Sequence, residues 1–422
     1  MSVDQHPSAA APLSDVPTYF RASVPALARV IGGRPAIYLD SPSGAQMPEP
    51  VLRALTDYIR NGMANRHGEF LTSEETEAAI HQARRAVADL IGGRHAHVVF
   101  GQNMTSLAFA LATALARDWS VAGRRGRVVV SAIDHHANVD PWVTVARDHG
   151  FEVAWLPVDP NTVNLDLTQL DRLVRPETTL VAVSMAANAV GSVQDVSTIA
   201  RRAHEVGAIT IVDAVHAVPH LPVNMQALGA DVLFCSAYKF FGPHIGVMAV
   251  EPELLDRVRI FKVAPAPNSG PEKAETGSQN HEAIAGLAAT IAYLEKLGRG
   301  RTRAARLHDS MLQIKRYEDH VVGQLLEGLA AIPGIRVYRA PDPNPKTPTV
   351  AFTVEGRAPA AIARFCGDRG LLLTHGDFYA CNLAETLGVA TRGGWVRAGM
   401  APYITSEEVD DALAIIGAAA RA

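Results

Sequence analysis

The chain has 422 residues, 48% of them hydrophobic, enough for a large core and for a main domain plus a smaller one. Its 39 basic and 43 acidic residues leave a formal charge of −4 and are interspersed apart from short basic clusters such as Arg124 and Arg125, which argues against a nucleic-acid partner. No apolar run reaches membrane-spanning length, and the three cysteines, Cys235, Cys366 and Cys381, match no zinc spacing, so the expectations are no membrane, no metal and a reducing cytoplasm.

Residues 1–15 read as a loose tail without a signal-peptide pattern, and 15–29 as a short helix. Residues 36–40 make a brief strand, followed by a Pro- and Gly-rich turn over 41–48. A helix is predicted over 50–61, ended by Gly62, then a polar loop over 65–70. Ser73 to Thr76 resembles the N-terminus of the next helix, which carries its apolar period from 79 to 91. From about residue 95 to 250 strands and helices alternate. The strands are 98–101, 127–131, 151–158, 179–185, 208–215 and 246–250, and the helices 107–116, 167–174 and 196–206. That rhythm predicts a doubly wound, mainly parallel sheet. The polar segment 263–278 is too long for a routine connection, so it is functional or at an interface. Helices follow over 282–297 and 303–329, half-exposed strands over 335–338 and 349–354, a helix over 358–369, strands over 370–374 and 395–400, and a closing helix over 406–420 capped by Ser406.

The stretch 231–246, DVLFCSAYKFFGPHIG, is the centre of this pattern. Its one lysine, Lys239, stands among apolar and small residues, where desolvation lowers an amine's pKa and frees its lone pair for imine chemistry. Upstream, a buried strand closes on Asp213. A strand ending on an acid and another ending on Ser-x-x-Lys, with Ser236 leading, is what pyridoxal phosphate (PLP) requires: a lysine for the Schiff base and an acid for the pyridinium nitrogen. Thr105 and Ser106 stand at a helix start, where free N–H groups and the dipole suit a phosphate. Ser-x-x-Lys also occurs in penicillin-binding enzymes, but their Lys-Thr-Gly and Ser-x-Asn partners are missing. The pair His135 and His136 invites a metal reading, yet adjacent residues point apart and no third ligand is near.

YLDS at 38–41, HHANVDPW at 135–142, VDAVHAVPH at 212–220 and SAYKFFGPHIG at 236–246 together resemble a fold-type I PLP enzyme of the class V aminotransferase group, in its cysteine desulfurase-like branch. The resemblance runs from residue 36 to the last helix. It implies an α/β fold with a large domain over 36–300 and a smaller α+β domain over 301–422, after an N-terminal segment, 1–35. It implies that Lys239 carries the internal aldimine, Asp213 pairs with the pyridine nitrogen and His135 stacks on the ring, these three being the catalytic set. Asn188 and His216 would lie near the phenolic oxygen, although desulfurases usually have Gln at the position of His216. Thr105 and Ser236 would hold the phosphate and Met104 would also bind the cofactor, with Ser278 reaching the phosphate of the other subunit's cofactor in a homodimer with a shared active site. Arg397 would grip the substrate α-carboxylate, with Tyr379 and His375 in the substrate pocket and His67, Phe70 and Asp377 as further pocket candidates.

One departure bears on the reaction. Aligning on Gly370 and Gly376 puts Tyr379 where desulfurases carry the sulfur-accepting cysteine, and Cys381 lies two residues later. A phenol forms no persulfide. The expected activity is therefore that of a PLP enzyme acting on an amino acid through an external aldimine, with β-elimination of C–S lyase type first. Epimerisation, as in isopenicillin epimerase-like proteins, transamination, desulfuration through Cys381 and a non-catalytic PLP-binding protein are the alternatives.

Overall fold

The computed structural model describes residues 15–93, 97–123 and 126–422. Most of the N-terminal tail and the pair Arg124 and Arg125 lie outside the described residues. Among the described residues seven strands form the main sheet: β1 (His97–Gly101), β2 (Arg127–Ser131), β3 (Glu152–Leu156), β4 (Thr178–Ser184), β5 (Ile209–Asp213), β6 (Val232–Ser236) and β7 (Gly246–Val250). Their order is β3-β2-β4-β5-β6-β7-β1, and only β7 runs against its neighbours. Successive side chains alternate between faces, and both faces are covered. Val99, Val128, Val130, Ile211 and Phe234 pack with the helices Met104–Val121 and Asp140–Asp148 on one side. Phe100, Val129, Val212, Leu233 and Val247 meet the helices Leu71–Leu90 and Val196–Glu205 on the other. Burying each such side chain is worth about 1.5–3 kcal/mol, which is why these strands read as continuous apolar runs.

A second, antiparallel sheet holds β8 (Ile335–Tyr338), β9 (Thr349–Val354), β10 (Thr374–Gly376) and β11 (Trp395–Gly399) in the order β8-β9-β11-β10. The long helix Arg303–Ala330 and the closing helix Ser406–Arg421 pack together behind it. The predicted strand 370–374 is two pieces. Leu371–Leu372 pairs with Ile37–Tyr38, and the chain then turns into β10. β9 is nearly all buried because it is central, so its expected half exposure does not hold, whereas the edge strand β8 has it.

Two caps also differ from expectation. The helix Leu71–Leu90 begins behind Phe70, and Ser73 is buried within its first turn. The Ser73 hydroxyl donates to the Asn65 carbonyl and accepts from the Gly68 N–H, so it fastens the 65–70 loop instead of the helix end. The last helix is capped by Thr405 in a reciprocal pair with Glu408, one residue before Ser406. The stretch 167–174 is a short 3-10 turn followed by one helical turn, Leu170–Leu173.

Candidate active site

The C-terminal ends of β2, β4, β5 and β6 open on one cavity, where open α/β sheets place ligands. Its lining includes Met104, Thr105, His135, Asn188, Asp213, His216, Ser236 and Lys239, so eight of the residues named from the sequence meet there. Ser106 and Ser278 line a neighbouring cleft with Gln102 instead, and Ser278 reaches Asn65 at 3.5 Å. His375 is exposed on β10, and His67 is exposed and paired with Glu77. Phe70 is 56% exposed, and like these two it is not among the residues lining the cavity.

Lys239 sits on the single 3-10 turn that follows β6, and its amine donates to the Pro42 carbonyl. Burial first, then the nearby Arg397, lower its pKa to about 8, against the pull of Asp40 and Asp213. Asp213 ends β5 and accepts from the Val215 N–H at 2.8 Å. Burial, with Asp134 adding to it, raises its carboxyl to about 7. A cation placed in the cavity would reverse that shift. His135 accepts the Ala137 N–H on Nδ1 at 2.9 Å, and burial lowers its pKa to about 4. Its ring is therefore neutral, with the proton on Nε2.

The loop that holds His135 is fixed from below by Asp134, which sequence reasoning passed over although it sits inside the DHHAN stretch. Its carboxylate accepts from the hydroxyl of Ser131, from Asn138 at 2.7 Å and from the Ser184 N–H at 3.0 Å. Gly246 lets the start of β7 pass the N-terminus of helix Met104–Val121, since a Cβ there would lie 2.3 Å from the Asn103 backbone.

The small sheet forms a second wall outside this lining: Arg397, Phe378 and Tyr379 are not among the cavity's lining residues but contact Asn188 and His135, which are. Arg397, on β11 and 2% exposed, donates to the Asn188 carbonyl at 3.0 Å, to Asp40 at 3.1 Å and to Ser43 at 2.7 Å. Its guanidinium lies 3.9 Å from the centre of the Phe378 ring. Phe378 and Tyr379 both have positive φ, 57° and 58°, a strained choice for aromatic residues. The strain is held by bonds across the site: Asn188 donates to the Phe378 carbonyl at 2.9 Å, and the His136 N–H donates to the Tyr379 carbonyl at 2.8 Å. The Tyr379 ring then stacks on His135, centroids 5.1 Å apart. The Cys381 thiol turns to Asp377 at 3.4 Å, and burial together with that carboxylate raises its pKa.

Two buried polar atoms in the cavity lining, Asn188 Oδ1 and His216 Nδ1, have no partner among the described residues. A buried polar atom left unpaired is costly, so it points to a ligand. With an acid, a reactive lysine and a helix N-terminus around them, the donor set fits PLP.

The fold is that of a PLP-dependent enzyme of fold type I. The chain matches the class-V aminotransferase family over residues 37–412 and belongs to that family, whose members use pyridoxal phosphate. It is 30% identical to a cysteine desulfurase of Klebsiella pneumoniae over 407 residues, 92% of this chain and 95% of that one. An uncharacterized protein of Mycobacterium tuberculosis is 31% identical over 403 residues, 93% and 99% of the two chains. Among solved structures, the apo cysteine desulfurase of Thermococcus onnurineus superposes with a TM-score of 0.85 at 26% identity, covering 100% of both chains. The cysteine desulfurase CsdA of Escherichia coli gives 0.81 at 25%, covering 96% of this chain and 98% of that one.

Proposed function

We propose that this enzyme cleaves an amino acid at its β-carbon, a carbon–sulfur bond by preference, and releases the sulfur without storing it on its own chain. The observation that carries the reading is the pairing of a reactive amine, Lys239, with a loop that offers Tyr379 to the site and holds its own thiol, Cys381, against a carboxylate. The comparisons with cysteine desulfurases support carbon–sulfur chemistry.

PLP, when bound, supplies an electron sink that makes the substrate's α-proton removable. Asp213 would hold its pyridine nitrogen, His135 would cover its ring, and Asn188 and His216 would meet its phenolic oxygen. Thr105 and Ser236 would hold its phosphate, with Met104 beside them in the lining. Arg397 takes the substrate α-carboxylate. Lys239, its pKa lowered to about 8 by burial, takes the α-proton in its free-amine form. Tyr379 stands over His135 at the mouth with its hydroxyl free to donate a proton to the departing group.

The two sheets suggest a large domain over 36–300 and a small one over 301–422. A homodimer completed by Ser278 and the 263–278 segment, in the cytoplasm, belongs to the same reading, and sedimentation equilibrium checks the dimer. No described helix is long and apolar enough to cross a membrane.

The test is a screen of amino acids that scores sulfide, pyruvate, ammonia and α-proton exchange together. Pyruvate and ammonia with a free thiol or sulfide are the expected products of L-cysteine or an S-substituted cysteine. Exchange without release would identify epimerisation, and a keto acid that keeps its β-substituent would identify transamination.

A further inference from the structure

The donor pattern of Arg397 carries one more step, which rests on reading this residue as the carboxylate anchor. A guanidinium grips a carboxylate with two parallel N–H bonds, through either Nε and Nη2 or Nη1 and Nη2. Both forks need Nη2. Here Nη2 is taken twice, by Asp40 Oδ1 at 3.1 Å and by Ser43 Oγ at 2.7 Å. Nη1 gives one bond to the Asn188 carbonyl, and Nε is buried with no partner. An incoming carboxylate therefore finds Nε unpaired and only one of the two N–H groups of Nη1 spent, but the shared donor of each fork occupied.

We propose that Asp40 is a placeholder for the substrate carboxylate, displaced from Arg397 when an amino acid binds, and so a residue that sets affinity and selectivity for α-carboxylates. The surrounding structure allows this by a side-chain rotation. The backbone of the segment is fixed: the Ser41 hydroxyl donates to the Met400 carbonyl, and Pro42 packs so close to β11 that a Cβ on Gly399 would lie 2.2 Å from its ring. The Asp40 side chain is 31% exposed while that of Arg397 is 3% exposed, so the carboxylate can turn to water and the guanidinium cannot. Ser43 donates to the same Asp40 oxygen at 2.8 Å, so it is freed by the same turn. The placeholder spares Arg397 from being a buried, unpaired cation between turnovers. A ligand without a carboxylate makes no charge-assisted pair with Arg397 and leaves Asp40 in place, so Asp40 competes with carboxylates alone.

The experiment titrates the PLP-loaded enzyme with L-alanine and, separately, with L-alaninamide, following the cofactor's absorption. L-alanine has no β-leaving group, and L-alaninamide has no carboxylate. In Asp40→Asn, which keeps the shape and removes the competing charge, the preference for L-alanine over L-alaninamide should rise about tenfold. Ser43→Ala should raise it about twofold by removing the second bond to Nη2. An unchanged or reduced preference in Asp40→Asn would overturn the proposal and make Asp40 a fixed counter-ion that orients Arg397. If Asp40→Asn does not fold, an unchanged or reduced preference in Ser43→Ala overturns it. The anchor is checked separately: in Arg397→Gln the preference should collapse, and a preference equal to wild type would remove the anchor reading itself.

Discussion

The two walls of the active site are built differently. The large-sheet wall delivers Asp213 from the end of β5 and Lys239 from the first turn after β6, two neighbouring buried strands, and His135 from a loop locked by Asp134. Each is held where its strand or loop leaves it, and burial is the first cause of all three pKa shifts. The small-sheet wall places only Arg397 by a strand. Its loop, 377–381, is held in shape by bonds to the other wall, at Asn188 and His136, and carries two aromatic residues in a strained backbone region. The groups proposed to hold the cofactor and move the proton thus sit on the rigid wall. What distinguishes this chain sits on the wall that depends on its neighbour.

The largest effect should come from the rigid wall. Lys239→Ala should end covalent attachment of the cofactor, and should lower turnover by about 10²–10⁴-fold. Borohydride reduction followed by peptide mapping checks this, since label on another lysine would break the assignment.

The depressed Lys239 pKa sharpens the same contrast. Only the free amine reacts, so the rate at which the cofactor-free protein takes up PLP should rise with pH and level off above about 8. A lysine at its ordinary value would keep gaining to beyond pH 10. Stopped-flow absorbance from pH 6 to 11 reads the inflection directly.

That wall was also the legible one. Buried parallel strands show as apolar runs, and Asp213, Ser236 and Lys239 stand at their ends, so the sequence places them before any fold is known. Asp40, Ser43 and Phe378 were not found as site residues. Asp40 belongs to the YLDS stretch and acts through a partner 357 positions away in the chain, a pairing that no local pattern encodes. Phe378 and Tyr379 take left-handed conformations that turn chemistry assigns to Gly or Asn, so their placement follows from tertiary bonds alone. The caps are misread by one residue at Thr405, the usual margin for helix ends, and by three at Phe70, which makes no side-chain capping bond that a sequence pattern could mark.

The conditional wall should give the smallest effect. Tyr379→Ala removes the stacking on His135, worth about 1 kcal/mol, so PLP affinity should fall roughly fivefold. Tyr379→Phe keeps the stack and should keep that affinity. Fluorescence titration of the cofactor-free variants separates the two, and an equal loss in both would mean that the hydroxyl, not the ring, matters there.

The proposed enzyme breaks a carbon–sulfur bond and keeps no sulfur on its own chain. The direct measurement is to feed L-cysteine, quench, and map persulfides by mass spectrometry in the wild type and in Cys381→Ser. The account predicts no stoichiometric persulfide on Cys381 and the same sulfide output from both proteins. Stoichiometric persulfide on Cys381, with sulfide output lost in Cys381→Ser, would contradict it and make Cys381 the sulfur acceptor of a desulfurase.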